Sequence, residues 1–385
     1  MKKYVYLDNA ATTYVNAEVL QSMMPYFTTE FGNASSLHNF GREAEKAVAR
    51  ARRQIAKAIN AKESEIYFTS GATEANNWIL NGMIRNHPSK RALVSAIEHP
   101  SVMETCEALR KEGYTIELIE VDPQGIVSMS DLLHKLSRPA ALVSIMTANN
   151  EVGTIQYLNT VSQMCQKYGV PFHTDAVQAL GAVHIDVAGM GIDALSLSSH
   201  KIYGPKGVGC LFIRNGLKVD RFMHGGHQER NRRAGTHNVP AIVGFGNAVE
   251  ITMRDSQINN NRIRVLRDYM IREIETKIPN VYLNGHKSQR LPNCVNFSFS
   301  GVEGESLLMM LDLNGVAVST GSACSSGTLE RSYVLDAMGV PVELNQSSIR
   351  FSLGRNTTKD DIDYTVTQLL GIVKKLRSMS ALRSK

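Results

Sequence analysis

The sequence predicts an α/β protein: a mainly parallel sheet covered by helices on both faces, followed by a smaller domain that also mixes strands and helices. Three observations predict it. Short apolar runs alternate with helical stretches from about residue 60 to 215, the pattern of strands joined by crossover helices. A long helical stretch follows at about 238–278, and beyond it strands and helices resume in a different order. The 385 residues are 43% hydrophobic and 20% charged, the balance of a soluble chain long enough for a sizeable core and about two or three domains.

In chain order, AEVLQSMMPYF and GREAEKAVARARRQIAKAI read as helices that pack beside the smaller domain. EIYFTS (65–70) is the first strand of the sheet, with ATEANNWILNGMIRN as the helix after it. ALVSAI (92–97) is the next, with SVMETCEALRKEG as its helix. IELIEV (116–121) and ALVSIM (141–146) follow. The helix VSQMCQKYG then leads to VPFHT (170–174), DALSLSS (193–199) and GVGCLFIR (207–214). Past the long helix, VYLNG (281–285), CVNFSFS (294–300), VAVST (316–320) and SSIRFSL (347–353) are strand-like. Helical stretches at about 303–314, 328–338 and 359–378 intervene. The boundary falls in the long helix, giving a large domain over 15–255 and a small one over 1–14 and 256–385.

Composition excludes several classes. The net charge of +6 comes from 42 basic and 36 acidic residues with no long basic run, so no direct nucleic-acid partner is expected. Five cysteines, Cys106, Cys165, Cys210, Cys294 and Cys324, are scattered without a CxxC pair. That excludes a disulfide scaffold, gives no metal site, and fits the reducing cytoplasm. The N-terminal MKKYVYLDNAATT soon turns polar, unlike the apolar core of a signal peptide. No run nears the roughly 18 apolar residues of a membrane span.

Ligands of open parallel sheets bind beyond the carboxyl ends of the strands. Those ends supply Gly71-Ala72-Thr73 opening a helix, Glu98-His99, Asn149-Asn150, Asp175 with Gln178 three residues on, and His200-Lys201. Each has an ordinary reading alone: a turn, a helix cap or a surface lysine. Together they offer an anion-binding helix start, a flat aromatic ring, a carboxylate and an amine. Pyridoxal 5'-phosphate needs that set: a lysine for its aldehyde, an anion for its pyridinium nitrogen, and donors for its phosphate. A second oddity is GSACSSGT (321–328), which places Cys324 among small polar residues, although cysteine usually packs in a core. It reads as a thiol on a mobile loop.

The stretches YLDNAATT (6–13), FGNASSLH (31–38), TSGATEANN (69–77), EHPS (98–101) and NNEVGTIQ (149–156) carry a family resemblance. HTDAVQALG (173–181), SSHKIYGPKGVG (198–209), QERNRRAGTHN (228–238) and STGSACSSGTLE (319–330) extend it. In order and over nearly the whole chain, they resemble the NifS/IscS-like cysteine desulfurases of the class V aminotransferase-like enzymes. The resemblance implies a fold-type I pyridoxal-phosphate-dependent transferase, with a mainly parallel seven-stranded sheet between helices plus a smaller α/β domain. It implies Lys201 as the Schiff-base lysine, Asp175 as partner of the ring nitrogen and Gln178 on the phenolic oxygen. His99 stacks on the ring and acts in proton transfer. The helix start at Ala72 and Thr73, with Ser198 and His200, holds the phosphate, and Thr236 reaches the phosphate of the other subunit of a homodimer. Asn150, also beside the cofactor, and Arg350 hold the substrate carboxylate, which a guanidinium can grip with two parallel hydrogen bonds. Cys324 attacks the substrate sulfur.

The implied reaction converts L-cysteine to L-alanine and leaves a persulfide on Cys324. A sulfur-acceptor protein, such as an iron–sulfur scaffold or a tRNA-thiolation enzyme, then takes the sulfur. A selenocysteine lyase, or another class V aminotransferase-like enzyme, is the alternative. The family pattern is broken at His227 (GGHQE), Ser199, Arg331 and Cys294. None of these removes an implied catalytic group, and His227 reads as a surface histidine.

Overall fold

Seven strands of three to five residues build one sheet: Ile66–Thr69, Arg91–Ser95, Thr115–Ile119, Leu142–Ser144, Phe172–Asp175, Ala194–Ser198 and Gly209–Ile213. The computed structural model describes residues 3–320 and 331–379. Every residue of six of these strands is buried, and only Thr115–Ile119 at one edge is partly exposed. Strands covered on both faces read as apolar blocks rather than as alternation. Across the sheet the order is Ile66–Thr69, Gly209–Ile213, Ala194–Ser198, Phe172–Asp175, Leu142–Ser144, Arg91–Ser95, Thr115–Ile119. Gly209–Ile213 alone runs antiparallel to its neighbours.

Successive strand residues point to opposite faces. Phe68, Leu93, Val143, Leu195 and Phe212 therefore enter one core. Their neighbours Tyr67, Val94, Leu142, Ala194 and Leu211 enter the other. Helix Ala72–Ile84 adds Trp78, Ile79 and Leu80 to the second core, and the Trp78 indole N–H is satisfied by the Asp220 carbonyl at 2.8 Å.

The helices Ala17–Met23 and Asn39–Ala58 do not lie beside the smaller domain, as expected, but on the large sheet. Val19, Ala44, Val48, Ala51 and Ile55 join its first core, against the first half of helix Val239–Lys277. Small residues allow this approach. A Cβ on Gly246 would stand 2.6 Å from the Ala51 Cα, so only glycine fits there.

Helix Val239–Lys277 has 39 residues and so runs about 58 Å at 1.5 Å per residue. Ile242, Phe245 and Ile251 belong to the large-sheet core, whereas Ile263, Met270 and Ile274 belong to a separate core. That second core covers a three-stranded antiparallel sheet, ordered Ser348–Ser352, Cys294–Phe299, Val281–Leu283. Helices Gly304–Leu313 and Lys359–Met379 pack on it. The N-terminal strand Val5–Tyr6 pairs with Val316–Ala317, and Val5 and Leu7 are buried in this same core. Of the helix expected at 328–338, the described part is Tyr333–Ala337.

Candidate active site

The strands that end in chemistry-bearing residues are parallel to one another, so their carboxyl ends meet on one edge of the sheet. Asp175 closes the central strand and is 4% exposed. Its Oδ1 accepts from the Val177 N–H at 2.9 Å and its Oδ2 from Asn76 Nδ2 at 2.8 Å. Asn76 is fully buried on helix Ala72–Ile84, and its Nδ2 also donates to Ser101 Oγ at 2.9 Å. His99 caps helix Pro100–Lys111, its Nδ1 accepting from the Ser101 N–H at 3.1 Å and lying 2.9 Å from Ser101 Oγ. Burial pushes the His99 imidazole below its ordinary pKa. The cations Lys201 and Arg350 act the same way, and Asp175 opposes them.

Lys201 ends the short turn Ser199–Lys201 that follows strand Ala194–Ser198. Its Nζ donates to the carbonyls of Ala10 and, at 2.8 Å, Ala11. Gln178 Nε2 donates to the same Ala10 carbonyl at 3.0 Å. His200 Nδ1 lies 3.1 Å from Thr12 Oγ1. Burial, with the charges of Lys201 and Lys206, pushes His200 down to about 4, so it is neutral near pH 7. Ser198 is buried beside it. Helix Ala72–Ile84 starts after Gly71 with no side-chain cap, and nothing lies within 4 Å of where a Gly71 Cβ would be. Its first N–H groups thus face an open, anion-friendly space. Ala72 is half-buried there and Thr73 is exposed.

Arg350 is 4% exposed and comes from the smaller domain. Its Nη1 donates to the Asn150 carbonyl at 2.9 Å and its Nη2 to Asp8 Oδ1 at 2.9 Å, while Nε is buried without a partner. The guanidinium is therefore oriented from two sides, and its buried Nε–H has no partner among the described residues. Next to Asn150, Glu151 is pushed up to about 7 by burial, and its Oε2 accepts from Ser332 Oγ at 2.6 Å.

Lys201, Asp175, Gln178, His99, Ser198, His200, Asn150 and Arg350 thus lie around one edge of the sheet, with the Ala72 helix start. No hydrogen bond among the described residues joins exposed Thr236 to them. Its segment is nevertheless held near the same helix start, where Arg233 pairs with Glu74 at 2.7 Å. Cys324 lies outside the described residues. Burial pushes Cys106 and Cys165 up to about 12 and also raises Cys210 and Cys294. Exposed His227 bonds Asn231 Oδ1 at 2.5 Å, as a surface histidine does. Sequence reasoning missed Asn76, Ser101 and Asp8. Each lies inside a quoted motif, with Asn76 three residues from Thr73 and Ser101 two from His99, yet Asn76 and Asp8 act through partners distant in sequence, Asp175 and Arg350.

Comparison with known proteins agrees with this geometry. The model of the class V aminotransferase family matches residues 5–365. The chain belongs to that family, whose members are fold-type I enzymes and which implies pyridoxal phosphate. Within it the chain falls among the cysteine desulfurases of the IscS and NifS-like kind. A cysteine desulfurase IscS from Dictyoglomus turgidum is 50% identical over 382 residues, covering 99% of this chain and 97% of that one. A solved NifS-like protein superposes with a TM-score of 0.90 at 35% identity, covering 97% of this chain and 100% of that one. The structure of SspA in complex with cysteine gives a TM-score of 0.80 at 32% identity, covering 92% of this chain and 100% of that one.

Proposed function

We propose that this chain takes the sulfur from free L-cysteine, releases L-alanine, and hands the sulfur on as a persulfide of Cys324. The observation that carries the reading is the gathering of Lys201, Asp175 and His99 at the carboxyl ends of parallel strands on one edge of the sheet, with Arg350 turned toward Asn150. The residues present fit pyridoxal 5'-phosphate. Asp175 offers a buried carboxylate to a ring nitrogen, Lys201 an amine to an aldehyde, and Gln178 an amide to a phenolic oxygen. Asn150 and His99 flank that space. The open helix start at Ala72, with Thr73, Ser198 and neutral His200, suits a phosphate. When bound, the cofactor supplies an electron sink for substrate Cα.

The chain's own groups do the rest. Arg350 holds the substrate carboxylate through N–H groups not used by Asn150 and Asp8, and Asp8 keeps the guanidinium oriented. His99 would lie beside the cofactor and could hold or move a proton at Nε2. The Cys324 thiolate attacks the substrate sulfur. A sulfur–sulfur bond forms, the carbon–sulfur bond breaks, and the electron pair left on carbon is protonated to give alanine. The other four cysteines are unsuited to this step: they are buried and their pKa values are raised, and only a thiolate attacks sulfur.

A homodimer in which Thr236 serves the partner's phosphate site completes the reading. The sulfur acceptor is a protein such as an iron–sulfur scaffold or a tRNA-thiolation enzyme. A cytoplasmic location fits the unpaired described cysteines and helices none of which, among the described residues, is long and apolar enough to cross a membrane. The test is stoichiometric release of sulfide and alanine from cysteine with a reductant present. Cys324→Ser should lose sulfide release and keep the visible cofactor band. Full turnover by that variant, or alanine formed in the absence of reductant without an extra sulfur on the Cys324 peptide, overturns the proposal.

A further inference from the structure

We propose that Asn76 and Ser101 are positioning residues that fix the ring proton of neutral His99 on Nε2, so that His99 meets the reacting groups as a hydrogen-bond donor. The inference deepens the reading of His99 given above and rests on it for its functional meaning.

The argument starts at Asp175. Its Oδ2 is 2.8 Å from Asn76 Nδ2, and an ionised carboxylate only accepts. The amide must therefore turn its nitrogen to Asp175, because the flipped amide would set two oxygens against each other. Asn76 Oδ1 is buried with no partner, so the nitrogen side alone decides the orientation. The second hydrogen on Nδ2 goes to Ser101 Oγ at 2.9 Å. Ser101 Oγ is thus an acceptor toward Asn76, and its own proton is left for His99 Nδ1, 2.9 Å away. The Ser101 backbone N–H points at the same Nδ1 from 3.1 Å. Two donors converging on Nδ1 leave no place for a proton there.

The two halves of this lock differ in kind. The hydroxyl can rotate and become an acceptor. The backbone N–H cannot, because it belongs to the first turn of helix Pro100–Lys111, which His99 caps. A proton can be loaded at Nδ1 only by displacing that amide, and Asn76 further resists the turn of the hydroxyl. Nε2 makes no hydrogen bond among the described residues and so keeps its N–H for the reacting groups. Burial and the neighbouring Lys201 and Arg350 favour the neutral ring, against Asp175. The chain of contacts Asp175–Asn76–Ser101–His99 therefore couples the carboxylate assigned to the cofactor nitrogen to the tautomer of the ring assigned to stack on it.

The test reads the tautomer directly. Holoenzyme carrying ring-nitrogen-labelled histidine is examined by long-range proton–nitrogen correlation spectra, with the His99 signals assigned by their loss in His99→Gln. The unaltered protein should show Nδ1 unprotonated and Nε2 protonated near neutral pH. Ser101→Ala keeps the backbone donor and loses the hydroxyl, so the share of Nδ1-protonated ring should rise roughly two- to tenfold, the worth of one neutral hydrogen bond. Ser101→Thr should restore the original pattern. A protonated Nδ1 in the unaltered holoenzyme overturns the proposal, and so does a Ser101→Ala spectrum identical to it. Sulfide release from the same samples reports separately on the proposed reaction: its absence beside an intact Nε2–H overturns the desulfurase reading while supporting the tautomer.

Discussion

Replacing Glu229 by Gln should destabilise the protein by about 3 kcal/mol at neutral pH, and two routes give that magnitude. Glu229 is 4% exposed and accepts four hydrogen bonds. Arg52 Nη2 at 2.7 Å and His237 Nε2 at 2.7 Å reach Oε1. Arg52 Nη1 at 2.8 Å and the Phe68 N–H at 2.8 Å reach Oε2. A glutamine amide nitrogen placed on either side meets two donors. Arg52 also loses its charge partner in a buried site, and breaking such a pair costs about 3–5 kcal/mol. The titration behaviour agrees. Burial would raise the Glu229 pKa, but the hydrogen bonds from Arg52 and His237 and the Arg52 charge outweigh it and hold the carboxyl down to about 2 against an ordinary 4.5. That difference corresponds to about 3 kcal/mol.

The sign follows from the lowered folded-state pKa. The stabilisation is complete above about pH 4.5 and is lost as pH falls toward about 2. Parallel guanidinium unfolding of both proteins should show the gap at pH 7 and its shrinkage by pH 3. A gap below about 1 kcal/mol at pH 7, or one that does not change on acidification, would refute the reasoning. A local effect accompanies it. Glu229, Arg230 and Asn231 have φ of 44°, 56° and 64°, a left-handed run costing roughly 1–2 kcal/mol per residue. The Glu229 anchor holds that run, so the variant should be cut by proteases between 224 and 238 before global unfolding.

Two further outcomes test the site. Borohydride reduction of the holoenzyme followed by peptide mapping should place the pyridoxyl group on Lys201, and its appearance on exposed Lys206 would reassign the cofactor. Arg350→Lys should raise KM for cysteine roughly 10- to 100-fold with a smaller change in kcat, because the compact ammonium lacks the planar fork by which a guanidinium can hold Asp8 and the Asn150 carbonyl and still present parallel N–H groups to a carboxylate. An unchanged KM would remove Arg350 from substrate binding.

The strands were legible because sheets covered on both faces force contiguous apolar blocks, and the strand-end chemistry was legible because Asp175, His99 and Lys201 follow such blocks directly. What the sequence hid is long-range. Arg350 meets Asp8 across 342 positions and Arg52 meets Glu229 across 177, and a single chain carries no sign of such pairings. The sequence shows the helix Asn39–Ala58 but not the sheet on which it packs. An apolar stripe says that a helix packs, not what it packs on. Its row of small residues Ala44, Ala47 and Ala51, the last against Gly246, is a signal of close helix–helix approach that the stripe alone does not convey. Asn76 and Ser101 lay in plain view within TSGATEANN and EHPS, but each has an ordinary reading as a helix residue until the fold sets them between Asp175 and His99.

The segment YLDNAATT explains how two domains hold one site. Leu7 is buried in the smaller domain's core, and the segment is laced to strand Ser348–Ser352 through the Leu7 carbonyl, the Ala10 N–H and Asn9 Nδ2, at 2.7–2.9 Å. Its next residues cross to the large domain: Ala10 and Ala11 give their carbonyls to Lys201, Ala10 also to Gln178, and Thr12 meets His200. Between these, Asp8 orients Arg350. A lysine amine half-buried at a strand end needs acceptors whenever it is not covalently engaged, since an unpaired buried charge is expensive. Backbone carbonyls supply them without adding a second negative charge beside Asp175. An aspartate or glutamate side chain in their place would instead hold the Lys201 ammonium as an ion pair. The Ala10 and Ala11 carbonyls therefore hold the amine without pairing it to an anion, and the same strip of backbone, through Asp8, links that amine to the Arg350 guanidinium.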